Sequence, residues 1–359
     1  MEMTVEQLNP HSCKTYLLGL KAQKEFVLID PVIDHIQDYM ELLDKRNLKL
    51  AMVIDTHTHA DHISGAASLK DITGCEYMMH TNAPASCAGF RVSDGFEWKL
   101  FNKIPVKIMH TPGHTKDSLT LIFPGADAVF TGDALFLDDG GAGRDDLPGG
   151  NPAAHWESLK RISTLPEHLI VYPAHDYRDR KPSSLKQQKQ TNPHLKKRTK
   201  EAFIRYLEDL KLGPADWMKD VLTANYTCAQ DPKAAWIPID TPSCEVKGTL
   251  EPGVNEIQVA SIPAAVLKEK IHSDAVPLLL DVREPNELNT GPGHIEGVVN
   301  IPIENLTQRL PELEDVKERE IVAICHSGGR AYTAAQILTK VGFPRVSVLA
   351  GGMAAWKSG

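Results

Sequence analysis

Between residues 56 and 62 the sequence reads Thr-His-Thr-His-Ala-Asp-His, placing His57, His59, Asp61 and His62 within six residues. Imidazole and carboxylate are ligands for divalent transition metals. His57 and His59 converge only on an extended or turning backbone, because helical metal pairs fall three or four residues apart. The preceding Ala51-Met52-Val53-Ile54-Asp55 has the make-up of a buried strand, so the ligands belong on the loop that leaves it. More candidates follow: His114 in Thr-Pro-Gly-His-Thr, Asp133 in Thr-Gly-Asp and His175 in Tyr-Pro-Ala-His-Asp, each just beyond an apolar run. Polar groups at the same end of several strands can meet at one point, and Gly113 and Gly132 allow the turns this needs.

A second kind of chemistry is written at Ile321-Val322-Ala323-Ile324-Cys325-His326-Ser327-Gly328-Gly329-Arg330. A cysteine ends a buried strand, and two glycines and an arginine open a helix. Backbone N–H groups of such a loop converge above the sulfur, and the helix N-terminus and Arg330 favour a thiolate or a bound persulfide. The other five cysteines, at 13, 75, 87, 228 and 244, show no Cys-x-x-Cys pair and are expected as free thiols.

Strands are expected at 16–20 and 26–30 as a hairpin, then at 51–55, 106–109, 119–123, 128–131 and 169–172, with helices over 33–45, 64–71 and 152–164. Hairpin strands giving way to strands that alternate with helices predict a layered α/β sandwich. A charged helix over 196–212 carries Phe203, Tyr206, Leu207 and Leu210 on one stripe, and a short one follows over 214–222. From Asp231 to Gly253 prolines recur at 232, 238, 242 and 252, the composition of a semi-stiff linker. Beyond it strands and helices alternate regularly, which predicts a small α/β domain with a parallel sheet. The expected organisation is 1–235, a linker over 236–254, and 255–359.

At 359 residues the chain has room for two cores. A formal net charge of -8 gives no electrostatic footprint for nucleic acid. With no run of 18 apolar residues and no basic-then-apolar start, a cytoplasmic protein without membrane contact is expected. Homo-oligomerisation is left open.

The set His57-x-His59-x-Asp61-His62, His114, Asp133 and His175 resembles the metallo-β-lactamase superfamily over about residues 1–230, which implies an αββα sandwich. Two branches differ in what they do with these residues. The glyoxalase II branch implies two zinc ions and thioester hydrolysis, with His57, His59 and His114 on one ion, Asp61, His62 and His175 on the other, and Asp133 between. The persulfide dioxygenase branch implies one Fe(II) on His57, His114 and Asp133, with His59, Asp61, His62 and His175 as hydrogen-bonding support. Two histidines and a carboxylate with open positions opposite suit non-haem iron, whereas a metal pair suits hydrolysis. Pro173-Ala174-His175-Asp176-Tyr177, Gly143-Arg144-Asp145-Asp146, Asn192-Pro193-His194-Leu195 and Ala224-Asn225-Tyr226-Thr227-Cys228 resemble the dioxygenase branch. This resemblance implies that Tyr177 and Arg144 face the thiol carrier.

The loop from Cys325 to Arg330 resembles that of rhodanese sulfurtransferases. Asp281-Val282-Arg283-Glu284, His294-Ile295-Glu296-Gly297 and Gly351-Gly352-Met353-Ala354-Ala355-Trp356 match the same family over about 255–359. Its six residues have the length that this resemblance ties to sulfur transfer rather than to phosphate hydrolysis. Together the halves imply that a low-molecular-weight thiol persulfide is oxidised by O2 to sulfite. Cys325, helped by His326, Ser327, Gly328, Gly329 and Arg330, would exchange sulfane sulfur with thiosulfate, sulfite or a thiol.

Overall fold

A computed structural model describes residues 3–9, 12–20, 24–196, 199–210, 216–235, 237, 259–273, 276–289, 292–326 and 328–358. The chain divides into two compact units, residues 1–214 with 218–252, and 215–217 with 253–359. The expected linker over 236–254 lies outside the described residues, apart from position 237.

The first unit holds two six-stranded sheets. One runs β1 (Met3–Gln7), β2 (Tyr16–Leu20), β3 (Glu25–Ile29), β4 (Lys49–Ile54), β5 (Glu76–His80) and β6 (Phe90–Val92) in chain order. Its first three strands pair antiparallel, and its last three add in parallel. The other contains β7 (Glu97–Leu100), β8 (Ile104–His110), β9 (Leu119–Phe123), β10 (Ala128–Gly132), β11 (Ile170–Pro173) and β12 (Ser183–Ser184), antiparallel except where β10 meets β11.

Side-chain alternation explains why the two sheets face one another. Leu18, Val27, Ile54 and Met78 of the first sheet share one core with Leu121, Phe123 and Phe130 of the second. Their neighbours Leu17, Leu28, Val53 and Tyr77 point the other way, where they meet α1 (Ile36–Lys45) and α2 (Ala66–Thr73) through Tyr39, Leu43 and Leu69. On the outer face of the second sheet Ile122, Val129 and Val171 pack against α3 (Pro152–Ser163) and α5 (Lys200–Leu210) through Leu159, Ile162 and Phe203. α4 (Leu185–Thr191) lies between these helices in sequence, and α6 (Asp216–Tyr226) closes this part of the chain. The result is the expected αββα sandwich.

The second unit is a five-stranded sheet in the order β13 (Ala260–Ile262), β17 (Val346–Leu349), β16 (Ile321–Ile324), β14 (Leu278–Asp281), β15 (Val299–Asn300), parallel throughout. α7 (Ala264–Lys270), α8 (Ile303–Arg309), α9 (Gly329–Lys340) and α10 (Gly352–Ser358) connect or follow its strands. Leu267, Val322, Ile324, Leu349 and Met353 form its core.

The expectation of free thiols fails at two positions. Cys87, in the loop between β5 and β6, is disulfide-bonded to Cys228, just past α6, across 141 residues of sequence. Spacing could not show this pair, because only the fold brings the two segments together. Cys13, Cys75 and Cys325 are free thiols, and Cys244 lies outside the described residues. No helix among the described residues is long and apolar enough to cross a membrane.

Candidate metal centre and sulfur-transfer loop

β4, β8, β10 and β11 all deliver a loop to the same end of the sandwich, carrying His57, His114, Asp133 and His175 in turn. Backbone hydrogen bonds lace these loops together: Leu119 N–H donates to Thr56 O, Gly143 N–H to Asp133 O, and Ala174 N–H to Gly132 O. All seven expected metal residues are buried here.

Hydrogen bonding decides which lone pairs remain. Thr56 Oγ1 donates to Asp30 Oδ2 at 2.9 Å, so the 2.9 Å contact with His57 is a donation from His57 Nδ1 to Thr56 Oγ1. That leaves His57 Nε2 with a lone pair and no partner among the described residues. His114 Nδ1 donates to the Arg144 carbonyl, which can only accept, so His114 Nε2 is left in the same way. Asp133 Oδ1 accepts from His175 Nδ1 at 2.7 Å, and Asp133 Oδ2 has no partner. The three orphaned atoms point at one another, with Asp133 Oδ2 at 3.7 Å from His57 Nε2 and 3.5 Å from His114 Nε2. Two donors each about 2.1 Å from a shared ion sit roughly 3–3.5 Å apart, so this set fits a transition metal with little adjustment.

The charges agree with that use. Burial, reinforced by the His59 ring, pushes His57 down to about 3, so it is a neutral imidazole at pH 7. Burial alone would raise the Asp133 carboxyl, but His175 and His57 outweigh it and hold the group well below the usual carboxylate range. Beneath the ligands, burial raises Asp30 to about 6 and, with help from Asp30, Asp55 to about 7.

The other expected ligands make more contacts, yet His59 Nδ1, Asp61 Oδ1 and His62 Nε2 are likewise without a hydrogen-bond partner among the described residues. His59 turns Nε2 to Asp30 Oδ1 at 3.2 Å. Both ring nitrogens of His175 face carboxylates, Nδ1 toward Asp133 and Nε2 at 2.6 Å from Asp61 Oδ2. The same Asp61 oxygen is 3.2 Å from His62 Nδ1 and accepts from Cys13 Sγ at 3.2 Å. Cys13, Asp61, His62 and His175 could also gather around a cation, as could Asp30, Asp55 and His59.

Tyr177 stacks on His175, ring centres 5.8 Å apart and planes within 4°. Arg144 contributes its carbonyl to His114, while its mostly buried guanidinium grips both oxygens of Asp146 at 2.7 Å. The close approach is possible because residue 143 is glycine: a Cβ there would fall 2.6 Å from Asp133 O and 2.9 Å from His114 Nδ1.

In the second unit Cys325 is buried at the C-terminal end of β16, and α9 starts four residues later. Gly328, with φ +112°, turns its N–H toward Cys325 Sγ at 3.1 Å. Met353 and Ala354 N–H groups bind the carbonyls of Cys325 and His326. Gly352 lets that helix end approach, since a Cβ there would lie 2.5 Å from both carbonyl oxygens. Arg330 does not present its charge to the sulfur alone: Glu287 holds both guanidinium ends, at 2.6 and 2.7 Å. Buried Arg283 is paired with Asp281 at 2.7 Å and donates to the carbonyls of Glu287 and Gly293, bracing the segment that supplies Glu287. His326 is exposed, Gly329 opens α9, and Ser327 lies outside the described residues.

Residues 8–175 match the metallo-beta-lactamase superfamily and residues 263–359 the rhodanese-like domain. The mitochondrial persulfide dioxygenase ETHE1 of Bos taurus is 32% identical over 226 residues, 62% of this chain and 87% of its own length. Its Homo sapiens counterpart is 32% identical over 233 residues, 64% of this chain and 90% of its own. This chain belongs to the ETHE1 persulfide dioxygenase family. Within that family, the crystal structure of ETHE1 from Myxococcus xanthus is 36% identical, covering 63% of this chain and 99% of that one with a TM-score of 0.58. A Staphylococcus aureus metallo-beta-lactamase structure covers 98% of this chain and 100% of that one at 22% identity and a TM-score of 0.59, a likeness of fold.

For this ETHE1-family chain the sequence reading missed the residues that steady the ligands. Asp30 and Thr56 orient His57 and His59; Cys13 and Glu287 went unassigned. Asp30 offered a signal, a carboxylate ending a buried strand next to Pro31. The rest depend on contacts made across the fold.

Proposed function

We propose that the first unit oxidises the terminal sulfur of a low-molecular-weight thiol persulfide with O2. One O2 and one water are consumed, and free thiol, sulfite and two protons are released. The observation that carries this reading is the set of three partnerless buried atoms, His57 Nε2, His114 Nε2 and Asp133 Oδ2, gathered within reach of one ion. A ferrous ion held there supplies the redox chemistry that joins O2 to sulfur. The Arg144 carbonyl and Thr56 fix the His114 and His57 rings through Nδ1, which leaves Nε2 of each as the atom that would hold the ion. His175 sets the face of Asp133 that remains free. His175 Nε2 in turn lies 2.6 Å from Asp61 Oδ2. The persulfide dioxygenases among the relatives support oxidation over hydrolysis at this site.

The second unit transfers sulfane sulfur. Cys325 attacks the outer sulfur of thiosulfate, sulfite leaves, and the resulting cysteine persulfide passes its outer sulfur to a thiol, giving a thiol persulfide. The Gly328 N–H, aimed at Cys325 Sγ, steadies the anionic sulfur at each stage. Metal analysis of anaerobically purified chain, with oxygen uptake on a supplied thiol persulfide, tests the first part. One iron per active chain is expected, and activity that requires two zinc ions per chain would contradict it.

A further inference from the structure

Asn225, in the last turn of α6, is separated by more than 160 residues from the loop that carries His57 and His59, yet its buried carboxamide is spent wholly on that loop. Nδ2 donates to His59 O at 2.8 Å and to His62 O at 2.9 Å, and Oδ1 accepts from Ser64 N–H at 2.9 Å. Three bonds from one side chain fix this turn, and the His59 and His62 carbonyls accept no backbone hydrogen bond among the described residues. Three residues further on, Cys228 is disulfide-bonded to Cys87 in the loop between β5 and β6. The end of α6 is thus pinned to the metal loop by Asn225 and to the β5–β6 loop by a covalent bond.

We infer that Asn225 is a positioning residue for the metal loop, and that the Cys87–Cys228 disulfide holds Asn225 in place. The inference rests on the metal assignment above only for its metal readout. Reduction consumes two equivalents of a low-molecular-weight thiol, which leave as their own disulfide while Cys87 and Cys228 become thiols. Asn225 then loses the covalent tether behind it in the presence of the same chemical class that the proposed reaction releases.

The test compares full-length wild type with Asn225→Asp, Asn225→Ala and the Cys87→Ser/Cys228→Ser double variant. Asp keeps size and an acceptor for Ser64 N–H but removes both donors, so a packing role would leave it like wild type. Amide exchange in metal-free protein should rise at residues 57–64 in Asn225→Asp and Asn225→Ala, with β9 and β10 unchanged. Fe(II) should pass to a chelator at least about 10-fold faster from both. The double variant, and wild type treated with a thiol reductant, should move the same readouts in the same direction by a smaller factor. Wild-type behaviour of Asn225→Asp, or exchange rising evenly through both sheets, overturns the positioning role. Wild-type behaviour of the disulfide-free chain overturns the tether. Because exchange is read without metal, a failure of the iron reading leaves these outcomes distinguishable.

Discussion

His175 Nδ1 lies 2.7 Å from Asp133 Oδ1, and this contact turns the other oxygen of Asp133 toward His57 and His114. In the proposed single-iron centre, a histidine that would be a ligand in a two-metal centre orients a carboxylate instead. His175→Ala should therefore retain iron but bind it about 10- to 100-fold more weakly, the usual cost of losing such a support. Metal titration against a chelator measures this. Loss of one ion from a two-ion centre would show that His175 is a ligand.

Gly143 is where loop geometry and ligand geometry collide. A methyl group there meets Asp133 O and His114 Nδ1 well inside contact distance, so Gly143→Ala must push the His114 ring or the 143–144 backbone aside. We expect a loss of about 1–3 kcal/mol in stability, typical of overpacking, together with weaker iron binding. Denaturant unfolding and metal content of the purified variant report the two effects.

In the second unit the Glu287 carboxyl is held below its ordinary value, first by the hydrogen bond from Arg330. Its folded pKa lies under its unfolded one, so the stability it contributes is fully present above about pH 4.3, the ordinary glutamate value, and is lost as pH falls through the folded pKa. Glu287→Gln should lose that acid-side dependence. It also weakens the hold on Arg330, and sulfur loading of Cys325 from thiosulfate should slow. Unfolding midpoints between pH 3 and 7, with single-turnover sulfite release, check both outcomes.

Much of this architecture was legible because buried strands and amphipathic helices carry their own periodicity. Leu119–Phe123 is β9 to the residue, and the apolar run at 128–131 lies within β10. The segments that escaped were short or polar: β5 opens on Glu76, β7 alternates charged residues with Trp98 and Leu100, and β6 has three residues. Such strands are set by their neighbours rather than by their own composition. The same limit applies to the site. His57, His114 and Asp133 stood out by residue type and by following strands, whereas Asn225 and the Cys87–Cys228 pair act across long sequence separations that no local pattern encodes.

The two chemistries should separate within one chain. Cys325→Ser should abolish thiosulfate:thiol sulfurtransfer, because a serine hydroxyl forms no stable nucleophilic anion at neutral pH. Asp133→Ala should spare sulfurtransfer while removing the sole carboxylate from the proposed iron ligands. Oxygen uptake and sulfite release on a supplied low-molecular-weight thiol persulfide, measured for wild type, Cys325→Ser and Asp133→Ala, test this account most directly. Wild type and Cys325→Ser should consume oxygen and release sulfite at similar rates, and Asp133→Ala should do neither. Undiminished oxygen uptake by a folded Asp133→Ala chain would contradict the assignment of the iron centre.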